Sequence, residues 1–150
     1  MTKTDYMRIA LTQAKRAGEE GEVPIGAVIV KNGEVVSVGR NRREKEKNAL
    51  CHAEIEAIDS ACKKLGGWRL WECEIYVTLE PCPMCAGAII NARLKKVTFG
   101  AKDRKNGAVV SVMNMFSEGF THIPLFEAGV LEDECSELLS NFFKNLRDNN

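Results

Sequence analysis

The residue types able to do chemistry fall in two short runs, His52-Ala53-Glu54 and Pro81-Cys82-Pro83-Met84-Cys85. Two cysteines three apart in the first turn of a helix place both sulfurs on one side, with the positive end of the helix dipole toward them. That arrangement favours thiolates. Pro83 suits the first helical position, where its missing N–H would have had no partner. One imidazole, a nearby carboxylate and a thiolate pair are the parts of an open zinc site; if His52, Cys82 and Cys85 held the metal, Glu54 would be left free. Water at the fourth position of such a site ionises near pH ~7. A carboxylate beside it can take the proton, deliver it to a ring nitrogen of a nucleobase and pass another to a departing amine. The chemistry on offer is replacement of an amino group by a carbonyl on an electron-poor ring.

The surrounding pattern predicts elements that can position these groups. A helix is expected from about Thr4 to Glu20, with Met7, Ala10, Leu11, Ala14 and Ala17 on one stripe and Gly21 as its stop. Asn32-Gly33 between the runs Ile25–Lys31 and Glu34–Gly39 is a hairpin signal. A second helix is expected from about His52 to Leu65, burying Ile55, Ile58, Ala61, Cys62 and Leu65 and ending at Gly66-Gly67. Strand Glu74–Leu79, helix Pro83–Ala92 and strand Lys96–Gly100 form a βαβ unit with parallel strands. Weak helical character is expected around Val109 to Phe116, and a short strand at His122–Glu127. The last helix, Leu131 to Leu146, is expected to bury Leu131, Cys135, Leu138, Leu139, Phe142 and Leu146, with Glu132, Asp133 and Glu134 at its positive end. A hairpin followed by alternating helices and strands implies an α/β fold, a mixed sheet of about five strands with helices on both faces. Ligands in such sheets collect where strands give way to helix N-termini, which is where Cys82 lies.

Length and composition exclude several classes. A chain of 150 residues, 45% hydrophobic and 28% charged, suits one compact domain over 1–150 with a core of its own. The longest aliphatic run, Ile25 to Val30, is far short of the ~20 residues that a membrane span needs. The first residues carry no signal-peptide pattern, so the expected compartment is the cytoplasm. Six cysteines in such a chain do not call for a disulfide framework, and Cys62, Cys73 and Cys135 fit apolar patterns as small hydrophobes. With 21 basic and 21 acidic side chains there is no global pull toward a polyanion. Lys102, Arg104 and Lys105, together with Arg93, Lys95 and Lys96, form the one basic cluster able to hold phosphates locally.

The two motifs match the zinc deaminase signature. Val23-Pro24-Ile25-Gly26-Ala27-Val28, Gly39-Arg40-Asn41-Arg42, the run from Tyr76 to Ala88, Phe99-Gly100-Ala101-Lys102-Asp103 and Leu138-Leu139-Ser140-Asn141-Phe142-Phe143 extend the match, so nearly the whole chain resembles the bacterial tRNA-specific adenosine deaminase family. The resemblance implies a cytidine deaminase-like three-layer α/β/α fold, a homodimer, one zinc ion per subunit and conversion of adenosine to inosine at the wobble position of a tRNA anticodon stem-loop. It implies that Asn41 hydrogen-bonds the flipped adenine and Asp103 contacts the neighbouring nucleotide; an amide such as Asn41 can donate to a ring nitrogen and accept from a base N–H. Lys105 and Phe143 complete the expected substrate-binding set, and neither a membrane nor DNA is an expected partner. The chain departs from the family at Cys51, usually alanine, at Asn48-Ala49-Leu50 in place of Asp-Pro-Thr, and at Val109-Val110, where small residues are common.

Other readings share some of these residues. A Cys-x-x-Cys that opens a helix is also a thioredoxin-like redox motif, although that motif has no need of His52 and Glu54. In a structural zinc module, Cys51, Cys73, Cys135 or His122 would close the shell. Free-base or nucleoside deaminases for guanine or cytosine use the same metal signature. Asp103 could merely cap a turn. Phe142 belongs with the buried stripe, whereas Phe143 lies off it and could stack on a base or a partner subunit.

Overall fold

The computed structural model describes residues 1–149; Asn150, the last residue of the expected domain, lies outside the described residues. Helix α1 (Lys3–Glu19) starts one residue earlier than its apolar pattern, because Thr2 and Asp5 form a capping box: Thr2 Oγ1 accepts from the Asp5 amide at 3.2 Å and Asp5 Oδ2 accepts from the Thr2 amide at 2.8 Å. Strands β1 (Gly26–Lys31) and β2 (Glu34–Arg40) join through Asn32 and Gly33. Both turn residues have positive φ, 51° and 81°, as the expected two-residue hairpin requires. There follow α2 (Ala53–Leu65), β3 (Cys73–Leu79), α3 (Pro83–Asn91), β4 (Lys96–Ala101), a 3-10 turn at Met115–Ser117, β5 (Leu125–Ala128) and α4 (Glu132–Asp148).

The five strands make one mixed sheet in the order β2-β1-β3-β4-β5. β1 is antiparallel to β2 and β3, whereas β3, β4 and β5 run parallel; the βαβ reading predicts this for β3 and β4. Side chains alternate between the faces. Ala27, Ile29, Ile75, Val77, Val97 and Phe99 pack under α2 and α3, while Val28, Val30, Tyr76 and Ala101 pack under α1 and α4. Helices therefore cover both faces, giving the three-layer α/β/α arrangement.

Several expectations need correction. The innermost stripe of α2 is Ala53, Ala57 and Ala61, and Leu65 is exposed. The reason is Gly39, where an added Cβ would overlap the Ala53 carbonyl and the Ala57 amide, so α2 lies almost on the β2 backbone and only alanines fit between. Ile55, Ile58 and Cys62 flank that contact half-buried. In α4 only Cys135 is buried, its sulfur over Gly100 of β4. Leu138, Leu139 and Phe142 are half-buried and Leu146 is exposed, because the rest of the helix does not settle into the sheet. No regular helix forms over Val109–Phe116 apart from the final 3-10 turn. The amides of Val109, Val110 and Ser111 donate to the Glu80 carboxylate and are lost to helical bonding. β5 starts at Leu125, after Pro124, a residue with no amide hydrogen to give a ladder.

The basic cluster is also divided. Lys96 opens β4 and Lys102 follows its end, roughly 20 Å away by strand geometry. Lys95 and Lys96 pair with Glu72 and Glu127, and the Arg93 guanidinium lies near the Trp68 ring, 5.5 Å from its centre. Only Lys102, Arg104 and Lys105 remain beyond the C-terminal end of β4.

Candidate metal centre and substrate cleft

Two helix N-termini meet at the end of the sheet where β3 gives way to α3. His52 is the N-cap of α2 and Cys82 the N-cap of α3, and neither side chain caps its own helix, so both are free to point elsewhere. They point at each other. The Nδ1 of His52 lies 3.7 Å from Cys82 Sγ and 3.6 Å from Cys85 Sγ. With Zn–S near 2.3 Å and Zn–N near 2.05 Å, the S···N edge of a zinc tetrahedron is about 3.6 Å. The donor set therefore has the size and chemistry of a zinc site, and among the described residues it has three members. Cys51, Cys73, Cys135 and His122 do not join it. The His122 ring is engaged with the Leu94 carbonyl, 2.7 Å from Nε2. A closed four-residue shell, as in a structural zinc module, is not formed.

Protonation within the cluster follows from its crowding. A hydrogen bond from Cys85 and another from His52 hold the Cys82 thiol well down, at about 4, against the opposing effect of burial. Cys85 is driven up by its bond to Cys82 and by burial, and His52 is raised chiefly by its bond to Cys82. One thiolate is thus stabilised by the protons of its neighbours, a position a cation can take over. Glu54, in the first turn of α2, is buried, and that burial pushes its carboxyl up to about 7, with the Cys82 thiolate adding to the effect.

Above these groups opens a cleft of about 680 Å³, reached by His52, Glu54 and Cys82 from below. Its walls come from three other parts of the chain. Asn41, just past β2, is buried; its Nδ2 donates to the Val23 carbonyl at 3.2 Å and its Oδ1 accepts from the Arg43 amide at 3.3 Å. One amide hydrogen and one lone pair remain for a ligand. Asp103, Arg104 and Lys105 form a second wall just past β4. Asp103 caps that turn, its Oδ1 accepting from the amides of Lys105 and Asn106, each at 3.1 Å, and it lines the cleft as well. Leu139 and Phe143 of α4 close the third side. Phe143 is 47% exposed and meets Phe142 edge to face, which leaves ring surface free for stacking. All eight residues singled out in the sequence, His52, Glu54, Cys82, Cys85, Asn41, Asp103, Lys105 and Phe143, thus gather at one end of the sheet.

Sequence reasoning assigned no role to two buried acids beside this site. Glu22 accepts from the amides of Glu44 and Lys45 at 3.0 and 2.8 Å, holding the loop that follows Asn41. Glu80 holds the loop that carries Asp103. Glu80 is an acid set in a largely apolar run, a pattern that calls for buried partners, whereas Glu22 follows Glu19, Glu20 and Gly21 and has no such signal. Arg43 was missed as a lining residue because nothing local marks which way it faces, and Leu139 because its helical spacing assigns it to the buried stripe.

Comparison with known proteins agrees with this geometry. The family model for MafB19-like deaminases matches residues 1–147. A tRNA-specific adenosine deaminase of Bacillus subtilis is 52% identical over 143 residues, covering 95% of this chain and 89% of that protein. A structure solved in a study of A-to-I editing by tRNA:A34 deaminases at the wobble position superimposes with a TM-score of 0.89 and 45% identity, over 91% of this chain and all of the other. The guanine deaminase of Bacillus subtilis is more distant, with a TM-score of 0.66 and 32% identity over 99% of this chain and 95% of that one. Within the MafB19-like deaminases, the chain belongs to the tRNA-specific adenosine deaminase family.

Proposed function

We propose that this protein hydrolyses the 6-amino group of adenosine to give inosine at the wobble position of a tRNA anticodon loop, with one zinc ion per subunit held by His52, Cys82 and Cys85. The observation that carries the reading is the three-donor cluster beside a buried Glu54, at the foot of a cleft with cationic side chains on its wall. Zinc, when bound there, supplies a water that ionises near neutral pH. Glu54 takes one proton of the attacking water and gives it to the ring nitrogen beside the reacting carbon, then takes the proton of the new hydroxyl on that carbon and gives it to the leaving amine. The C–O bond forms first and the C–N bond breaks when the protonated amine leaves, so water and an amine become a carbonyl and ammonia. Asn41 orients the base through its spare hydrogen and lone pair, and the part-buried hydrogen bond from Asn41 to the Val23 carbonyl keeps the amide from rotating.

A base inside a paired stem cannot reach the foot of this cleft, so the adenosine must come from a loop and be turned out of its stack. Arg43, Lys102, Arg104 and Lys105 around the opening suit the flanking phosphates. Asp103 sits where it can meet a neighbouring nucleotide, and Phe143 offers a stacking face. The same reading carries one catalytic domain over 1–150 and a homodimer. Exposed Leu50, Val112 and Met113 are the kind of side chain a second subunit would cover. It also carries a cytoplasmic location, the compartment of tRNA; no helix among the described residues is long and apolar enough to cross a membrane.

The test is inosine formation by zinc-loaded protein offered, in parallel, an anticodon stem-loop with wobble adenosine, free adenosine, guanine and cytosine. Conversion of the RNA alone is the expected result. Conversion of a free base with inert RNA would overturn the substrate assignment and leave the hydrolytic chemistry standing.

A further inference from the structure

Glu80 follows the last residue of β3, two positions before Cys82, and its side chain turns away from the cysteines into the loop between β4 and the 3-10 turn. It is fully buried there, and no lysine, arginine or histidine is paired with it among the described residues. Its partners are four backbone amides and one hydroxyl. Oε2 accepts from Val109, Val110 and Ser111 at 3.1, 2.8 and 3.0 Å, three successive N–H groups folded around one oxygen. Oε1 accepts from the Asp103 amide at 3.1 Å and from the Ser111 hydroxyl. Successive amides turned inward in this way form a concave anion site, here filled by the chain's own carboxylate. Gly107 makes the approach possible, since a Cβ there would overlap the Glu80 carboxylate and crowd the Asp103 carbonyl.

We propose that Glu80 is the positioning residue of the substrate wall: its carboxylate ties the Asp103 turn to the 109–111 turn and so fixes where Asp103, Arg104 and Lys105 stand over the cleft. The proposal deepens the functional reading above and rests on it for its catalytic consequence. Without the carboxylate, four backbone amides, that of Val109 buried and those of Asp103, Val110 and Ser111 part-buried, lose their acceptor together, and the wall has to open to water to satisfy them. Glutamine in its place keeps the shape but has one acceptor oxygen, and its NH₂ group would face N–H donors. The metal ligands stand on helix N-termini and do not share this network.

The measurement pairs kinetics with amide hydrogen exchange on the zinc-loaded protein. In Glu80→Gln we expect the amides of Asp103, Val109, Val110 and Ser111 to exchange faster, zinc content to stay at the wild-type level, and kcat/KM on the stem-loop to fall about tenfold, mostly through KM. Glu80→Asp, which keeps the carboxylate on a shorter arm, should recover part of that loss. Gly107→Ala should reproduce it from the other side of the contact, and the double variant should be little worse than the worse single one, since both break one clamp. Losses that multiply in the double variant would overturn the proposal. So would loss of zinc in Glu80→Gln, which would assign Glu80 to the metal floor, or unchanged exchange at the four amides. If the wild-type protein leaves the stem-loop unconverted, the functional reading fails, and the exchange data still decide whether the clamp exists.

Discussion

The floor of the cleft and its rim are built by different means. Floor residues sit on the first turns of α2 and α3: His52 and Cys82 are N-caps, and Glu54 and Cys85 follow within three residues. Their backbone is set by helices packed on the sheet through Ala53, Ala57, Ala86 and Ile89, all buried. Rim residues sit on loops and on the half-settled part of α4, and buried acids hold the loops by their amides, Glu22 on one side and Glu80 on the other. The division assigns bond breaking to rigid elements and choice of substrate to segments that can change without disturbing the sheet.

That comparison can be broken at either end. The largest effect is expected from Cys82→Ala, which removes one of three donors: zinc and activity should be lost together, and full zinc occupancy in the variant would show that the ligand set is wrong. Glu54→Ala should keep its zinc and lose about 10²–10⁴ in turnover, the usual worth of a positioned proton carrier; a variant that still turns over would remove Glu54 from the mechanism. On the rim, Lys105→Ala should leave zinc and the turnover of bound substrate near wild type. It should weaken stem-loop binding and lower the slope of log K against log salt by about 1, as expected for one phosphate contact. An unchanged salt slope would take Lys105 out of the RNA contact.

The smallest effect concerns the brace behind the rim. Hydrogen bonds from Arg40 and then Lys45 hold the Glu20 carboxyl at about 2, below its ordinary value of 4.5. Because the folded value is the lower one, this contribution to stability is present above pH 4.5 and is lost as pH falls toward 2. Melting temperatures of wild type and Glu20→Gln should differ slightly near neutrality and converge on acidification. A gap that persists at pH 2 would point to packing rather than charge.

Much of the floor was legible in the sequence because its residues are neighbours along the chain. Cys82 and Cys85 are one helical turn apart, His52 and Glu54 two positions apart, and the N-terminal position of each pair follows from Pro83 and from the apolar spacing after His52. The hairpin was legible for the same reason, since Asn32-Gly33 is a local conformational choice. Helix α4 was not. Its heptad-like stripe states which side chains would accept burial, and only the space left beside Gly100 decides that Cys135 receives it.

The sequence by itself determined the helix N-termini that carry His52, Cys82 and Cys85, the parallel pairing of β3 with β4 and the turn that pairs β1 with β2. The N-termini and the turn rest on contacts within a few residues, and the β3–β4 pairing on one short crossover helix. Tertiary structure decided that α2 packs through alanines, that Lys95 and Lys96 face away from the cleft into ion pairs, and that Val109 to Ser111 give their amides to Glu80 instead of to a helix. The physical reason is the same in each case. Burial and hydrogen-bond satisfaction are settled by whichever segment arrives opposite, and a linear pattern records a residue's preference but not its partner.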